Sequence, residues 1–223
     1  MAKTKIEFVC RECGSSHHQW AGQCLDCKAW NTLEEVVISQ ATSSKPESLK
    51  DLPASKVQNL SEVKSQNKNR LSTGLTELDR TLGGGLVDGS VVLIGGDPGI
   101  GKSTLILQAL AAVNATNTTL YVSGEESAEQ VSERALRLGI KEDILFIGET
   151  HLEKIIKLSK DVQPKVIVID SIQTMVTDVS TSAPGSVTQV RDCAAQLTQY
   201  AKQTNTILLM IGHVTKGGAL AGP

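Results

Sequence analysis

Nowhere in the 223 residues is there an uncharged apolar run of 18 residues, so a membrane-spanning helix is excluded. The opening residues, Met1-Ala2-Lys3-Thr4-Lys5-Ile6-Glu7-Phe8, also lack the apolar stretch of a secretion signal, and a cytoplasmic protein is expected. Aromatic residues are scarce, at 3%. Phe8, Trp20, Trp30, Tyr121, Phe146 and Tyr200 are scattered, which argues against a base-stacking platform. An excess of basic charge is missing as well, with 22 Lys and Arg against 24 Asp and Glu. Residues 45–70 carry +3 and residues 71–223 carry −4. An acidic main domain cannot hold a polyanion through its overall field, so any nucleic-acid contact must be local. The hydrophobic content of 40% is ordinary for a globular chain and excludes disorder throughout.

Three stretches differ in composition. Residues 1–33 hold four of the five cysteines and both tryptophans. Residues 34–70 are rich in Ser, Lys, Gln and Asn, contain Pro46 and Pro53, show no apolar period, and read as a linker. From Leu71, solid apolar runs at Val91–Ile94, Thr118–Val122, Ile144–Ile147, Val166–Ile169 and Ile207–Ile211 alternate with amphipathic segments. Runs without polar alternation belong to strands covered on both faces. Ala128, Val131, Ala135 and Leu138 form one helical stripe, and Val187, Val190, Ala194, Leu197 and Ala201 another. The fold class is therefore α/β, with a parallel central sheet and helices on both faces. The stretch from Ser171 to Gly185 is long for a loop in such a domain, and loops of that length are usually functional or disordered. The glycine-rich ending, Gly217 to Pro223, reads as a truncation.

Cys10, Cys13, Cys24 and Cys27 are spaced as C-x2-C, ten residues, C-x2-C. Each pair puts two thiolates on one side of a tight turn, and two such turns complete a tetrahedral shell around Zn²⁺. Four protein ligands leave no open position, so the site is structural. Ligation of about 10–16 kcal/mol would compensate for the small core of a ribbon this size. Disulfides do not suit a reducing compartment, and a redox pair needs a thioredoxin-like context that is absent. His17 and His18 lie between the pairs and are expected to be exposed rather than ligating. Cys193 sits beside the stripe of its helix and reads as a small core residue.

Gly96-Asp97-Pro98-Gly99-Ile100-Gly101-Lys102-Ser103, followed by Thr104, is G-x4-G-K-[ST] between a strand and a helix. Its glycines let backbone N–H groups wrap phosphates at a helix N-terminus, Lys102 reaches the β- and γ-phosphate oxygens, and Ser103 binds Mg²⁺. ATP with Mg²⁺ is the expected ligand. Asp170 ends an apolar strand, as a carboxylate of the Mg²⁺ shell would; the plain alternative is an ordinary strand-end Asp. Glu125 and Glu126 follow the second strand. One of them, Glu125, is expected to orient or deprotonate the attacking water, and Glu126 to favour the helix N-terminus only.

Together these residues resemble a RecA-type ATPase core, and specifically the bacterial RadA (Sms) DNA repair family. The resemblance spans essentially the whole sequence. It rests on the four-cysteine ribbon leading to Trp30-Asn31-Thr32, on Leu71-Ser72-Thr73-Gly74-Leu75 and Leu82-Gly83-Gly84-Gly85, and on the phosphate loop. Ser123-Gly124-Glu125-Glu126-Ser127, Asp170-Ser171-Ile172-Gln173 and Gly212-His213-Val214-Thr215-Lys216 narrow it further. The resemblance implies an ATP-driven motor forming hexameric rings on single-stranded and branched DNA and assisting the RecA recombinase. It gives Glu125 the part of catalytic base and His213 that of γ-phosphate sensor, against the plain alternative of a loop histidine without a role. It makes 171–185 and 214–223 the DNA-contacting loops, with Lys216, Gly217 and Gly218 as contacts.

The family continues with a Lys-Asn-Arg-Phe-Gly motif and a Lon-like domain that this sequence does not contain, so ATP binding with impaired hydrolysis and weak ring assembly is expected. Segment 171–185 has no Lys or Arg and 214–223 only Lys216, which implies a shallow salt dependence of DNA binding per subunit. A second class of function remains open, an ATP-switched scaffold whose ribbon recruits a partner protein. A clock-type or signalling ATPase is disfavoured because those lack the ribbon.

Overall fold

The first elements are three short strands, β1 (Lys5–Cys10), β2 (Ser16–His17) and β3 (Leu33–Ile38), in the order β2-β1-β3 with both pairings antiparallel. The computed structural model describes residues 5–10, 15–38, 59, 70–180 and 182–213. These fall into two units, a ribbon and a larger sheet-and-helix unit. The ribbon sheet runs to Ile38, past residue 33, because β3 pairs with β1 along its whole length, from Cys10↔Leu33 to Lys5↔Ile38. A Gln23↔Trp30 bridge closes the second half of the ribbon.

The second unit is built on five parallel strands. They are β4 (Val91–Gly96), β5 (Thr119–Ser123), β6 (Leu145–Gly148), β7 (Val166–Asp170) and β8 (Ile207–His213), in the order β4-β8-β7-β5-β6. The helices are α1 (Thr76–Thr81), α2 (Lys102–Asn114), α3 (Ala128–Arg137), α4 (Leu152–Val162) and α5 (Val187–Thr204). Successive strand residues serve opposite cores. Leu120, Val122, Ile167, Ile169, Leu208 and Met210 pack with Leu152 and Ile155 of α4 and with Val190, Cys193 and Leu197 of α5. Tyr121, Val168, Leu209 and Ile211 pack with Ile106, Leu107 and Leu110 of α2 and Val131 of α3. All five residues of β5 and of β7 are buried, which is why those runs carry no polar alternation.

Local signals start the helices. The side chain of Ser127 accepts from the Gln130 N–H at 3.4 Å, and the Gln130 side chain accepts from the Ser127 N–H at 2.9 Å, a reciprocal cap of α3. Ser186 accepts from the Gln189 N–H at the start of α5. Among the described residues no helix is long and apolar enough to cross a membrane.

Part of the stretch 171–185 is held down rather than free. A 3₁₀ turn at Ile172–Thr174 follows β7, and Ile172 and Met175 are buried in the α4–α5 core. Val176 bridges His151 in parallel fashion, with its N–H donating to Thr150 O at 2.9 Å and its carbonyl accepting from Leu152 N. Thr177 donates to Glu153 Oε1 at 2.6 Å and accepts from Gln196 Nε2 at 2.9 Å. Val179, by contrast, is largely exposed. Apolar Ile172, Met175 and Val176 anchor the first half, whereas Asp178 and Val179 are exposed.

Candidate functional site

The phosphate loop joins β4 to α2. Gly101 adopts φ 96° as the residue preceding the helix, a left-handed conformation open to glycine, so α2 begins at once and Lys102 and Ser103 occupy its first turn, with Thr104 next. A helix start with N–H groups directed at the loop is an anion site by construction. Lys102 is buried, and its ammonium donates to the carbonyl oxygens of Gly96 and Asp97, each at 2.8 Å. Pro98, Gly99 and Ile100 form the outer rim, with Ile100 well exposed.

Parallel pairing of β4 with β8 sets Gly96 opposite His213, and this register brings the end of β8 to the phosphate loop. His213 Nδ1 lies 3.3 Å from Lys102 Nζ, and His213 Nε2 lies 3.3 Å from Glu125 Oε1. Ser171 Oγ donates to the same Glu125 oxygen. The His213 carbonyl accepts from Gln173 Nε2 at 3.2 Å. One connected network thus runs from Lys102 through His213 to Glu125 and Ser171, and its members come from α2, β8 and the loops that follow β5 and β7. Gly124 makes the close approach possible. Its N–H donates to Asp170 O at 3.0 Å, and a Cβ there would lie 2.2 Å from Thr174 Oγ1.

The two neighbouring carboxylates diverge. Glu126 does not point into this network; it pairs with Arg134 of α3, and both side chains are mostly buried. Asp170 is buried at the end of β7, and its Oδ2 accepts from the hydroxyl of Tyr121 on β5. Burial, and next the charge of Asp170, push the Tyr121 phenol far above its ordinary pKa, so it remains a donor. The roles of Ser171, Gln173 and Tyr121 in these contacts do not follow from the sequence motifs, because each partner is distant in the chain.

In the ribbon, the Sγ atoms of Cys10, Cys24 and Cys27 lie within 4.8 Å of one another. Cys10 Sγ and Cys27 Sγ are 3.6 Å apart. A tetrahedron with Zn–S bonds of about 2.3 Å has an edge of about 3.8 Å, so the spacing and the donors fit Zn²⁺. The tight turn is shaped by Cys24 N donating to Ala29 O at 2.9 Å and by Lys28 at φ 64°. Cys13, like Lys216, Gly217 and Gly218, lies outside the described residues. His17 corrects its expectation. It is mostly buried, with Nε2 3.4 Å from Cys24 Sγ and 3.6 Å from Asp26 Oδ2, while His18 is exposed. The tryptophans are not scattered in space either: a Cβ on Gly22 would lie 3.8 Å from the Trp30 ring and 4.0 Å from the Trp20 ring. Cys193 is buried as expected of a core residue, and burial, followed by the charges of Glu153 and Asp192, pushes its thiol up to about 12.

A phosphate loop between β4 and α2, with a carboxylate at the same end of the parallel sheet two strands away, defines an ATP-binding core. Residues 58–219 match the AAA domain family model, and residues 8–35 match the rubredoxin metal binding domain. Over its full length the chain is 54% identical to the DNA repair protein RadA of Pseudomonas aeruginosa and 50% identical to that of Escherichia coli K12. It is 49% identical to that of Haemophilus influenzae. The match covers 49%, 50% and 50% of those proteins, so the chain spans about half the length of the curated relatives. The chain belongs to the AAA-domain family and, within it, to the bacterial RadA family with an N-terminal zinc ribbon.

Proposed function

We propose that this chain is the ATP-hydrolysing part of a DNA repair motor that forms hexameric rings on single-stranded and branched DNA and assists the RecA recombinase. The observation that carries the reading is the network from Lys102 through His213 to Glu125. Lys102 trades the Gly96 and Asp97 carbonyls for phosphate oxygens, aided by the N–H groups of the loop and of the α2 N-terminus. When bound, Mg²⁺ would supply a Lewis acid that neutralises charge on the phosphates. Ser103 and Asp170 are the residues to hold it. Glu125, steadied by Ser171, takes the proton of the attacking water. His213 touches both Lys102 and Glu125, and its carbonyl is tied to Gln173, so a change at the phosphates reaches the segments on either side of that tie.

Lys102→Ala should weaken nucleotide binding by about 100-fold, the equivalent of about 2.7 kcal/mol for a charge-assisted contact. Retention of parental affinity in a nucleotide titration overturns the reading. DNA action is tested by phosphate release with and without single-stranded DNA. Exposed Trp20, Leu25 and Trp30 on the ribbon, with the buried and uncharged first half of segment 171–185, favour a second reading. In that reading the ATP core switches a scaffold and the ribbon recruits a partner protein. If DNA-stimulated ATPase survives ribbon removal while partner binding is lost, the ribbon is the docking module.

A further inference from the structure

Among the described residues, the side chain of Asp170 has one hydrogen-bond partner, the hydroxyl of Tyr121. Tyr121 stands in the middle of β5, paired with Val168 of β7, two residues before the Ser123↔Asp170 pair. It is fully buried, its ring lies in the α2–α3 core, and it stacks on Phe146 with centroids 6.3 Å apart and planes 17° apart. That position requires a ring. It does not require an oxygen, and burying a hydroxyl is unfavourable unless the hydroxyl is paired. Here the pairing is with Oδ2 of the carboxylate at the strand end. Oδ1 has no protein partner among the described residues and is not sealed in the core.

We propose that Tyr121 is a positioning residue for the divalent cation: its O–H fixes the Asp170 carboxylate through Oδ2, so that Oδ1 is presented to the Mg²⁺ shell. The proposal rests on the reading of Asp170 given above. Mg²⁺ demands near-ideal octahedral geometry, so a carboxylate free to rotate about its terminal torsion serves it poorly. A phenylalanine in the same place would pack equally well and leave the carboxylate unsteadied.

The test compares the affinity of the parent and of Tyr121→Phe for a fluorescent ADP analogue, with Mg²⁺ and with EDTA. The affinity gained from Mg²⁺ should fall about 10-fold in Tyr121→Phe, the equivalent of about 1.4 kcal/mol. Affinity in EDTA should stay within about twofold, which separates a cation effect from general damage to the fold. Asp170→Asn is the control. If it abolishes the Mg²⁺ gain while Tyr121→Phe leaves the gain intact, Tyr121 is core filling and the proposal is wrong. If Asp170→Asn itself keeps the gain, the assignment of Asp170 has failed and the proposal falls with it. A second measurement uses the unmutated chain, which has only two tyrosines, Tyr121 and Tyr200. With ¹³Cζ-labelled tyrosine, adding Mg²⁺ to the ADP-bound protein should shift the Tyr121 resonance and not that of Tyr200. An unmoved Tyr121 signal rejects the proposal even if Tyr121→Phe does not fold.

Discussion

Glu125 and Glu126 are adjacent in sequence and chemically alike, yet their surroundings predict opposite consequences for the same substitution. Glu125 is partly exposed and contacts Ser171 and His213 beside the phosphate loop. Glu125→Gln keeps the shape and removes the basic carboxylate, so the expected loss in kcat is about 10²–10⁴-fold, the range for a positioned general base. Nucleotide affinity and melting temperature should stay close to the parent. Glu126 instead neutralises Arg134 in a pair whose side chains are 28% and 13% exposed. Breaking a fully buried pair costs about 3–5 kcal/mol, and partial exposure lowers this to roughly 1–3 kcal/mol. For a domain of this size that is a fall in melting temperature of roughly 3–10 °C, with kcat changed by less than about threefold. Thermal unfolding by circular dichroism and steady-state phosphate release on both variants decide the matter. Should Glu126→Gln abolish turnover while Glu125→Gln only destabilises, the assignment of the two carboxylates is wrong.

The remaining expectations concern the loop, the ribbon and the core thiol. Met175→Ala removes a fully buried side chain and should destabilise the sheet unit by about 2–5 kcal/mol, read from denaturant midpoints; a loss under about 0.5 kcal/mol means that segment 171–177 is not anchored as described. Stripping Zn²⁺ with a strong chelator should change the tryptophan fluorescence, because Trp20 and Trp30 are the only tryptophans and both lie in the ribbon. One Zn²⁺ per chain should be released, and an unchanged spectrum after release speaks against a metal-built ribbon. Cys193, with its thiol pushed up to about 12, stays protonated at pH 8 and should resist iodoacetamide until the protein is denatured, as followed by peptide mass spectrometry. Rapid labelling of Cys193 in the native protein contradicts its burial.

The parallel strands were legible because a strand buried on both faces leaves an unbroken apolar run, and β5 and β7 are buried throughout. The phosphate loop was legible because its chemistry is local: glycines, Lys102 and Ser103 act within a few residues of one another. Segment 171–185 was harder. Its length and its lack of Lys and Arg drew attention, yet Ile172, Met175 and Val176 were the residues that decided its placement, since they find the α4–α5 core and the backbone beside α4. Tyr121 counted as one more apolar residue in a strand, and its hydroxyl gained meaning only when β7 placed Asp170 beside it. The same holds for Trp20 and Trp30, ten residues apart in the chain and both brought beside Gly22 by the fold of the ribbon.

The strand order has a consequence for how the protein comes into being. Among the described residues, β4, which carries the phosphate loop, lies at one edge of the sheet and pairs only with β8, Val91 opposite Leu208. While the polypeptide is being synthesised, β4 therefore waits for more than a hundred further residues before its neighbour emerges from the ribosome. Until then an apolar strand and an unformed nucleotide cradle stand open, and chain closure over such a separation is slow. Nascent chains stalled before residue 207 should be unable to retain ATP and should engage chaperones, whereas those with residues through His213 clear of the exit tunnel should do neither.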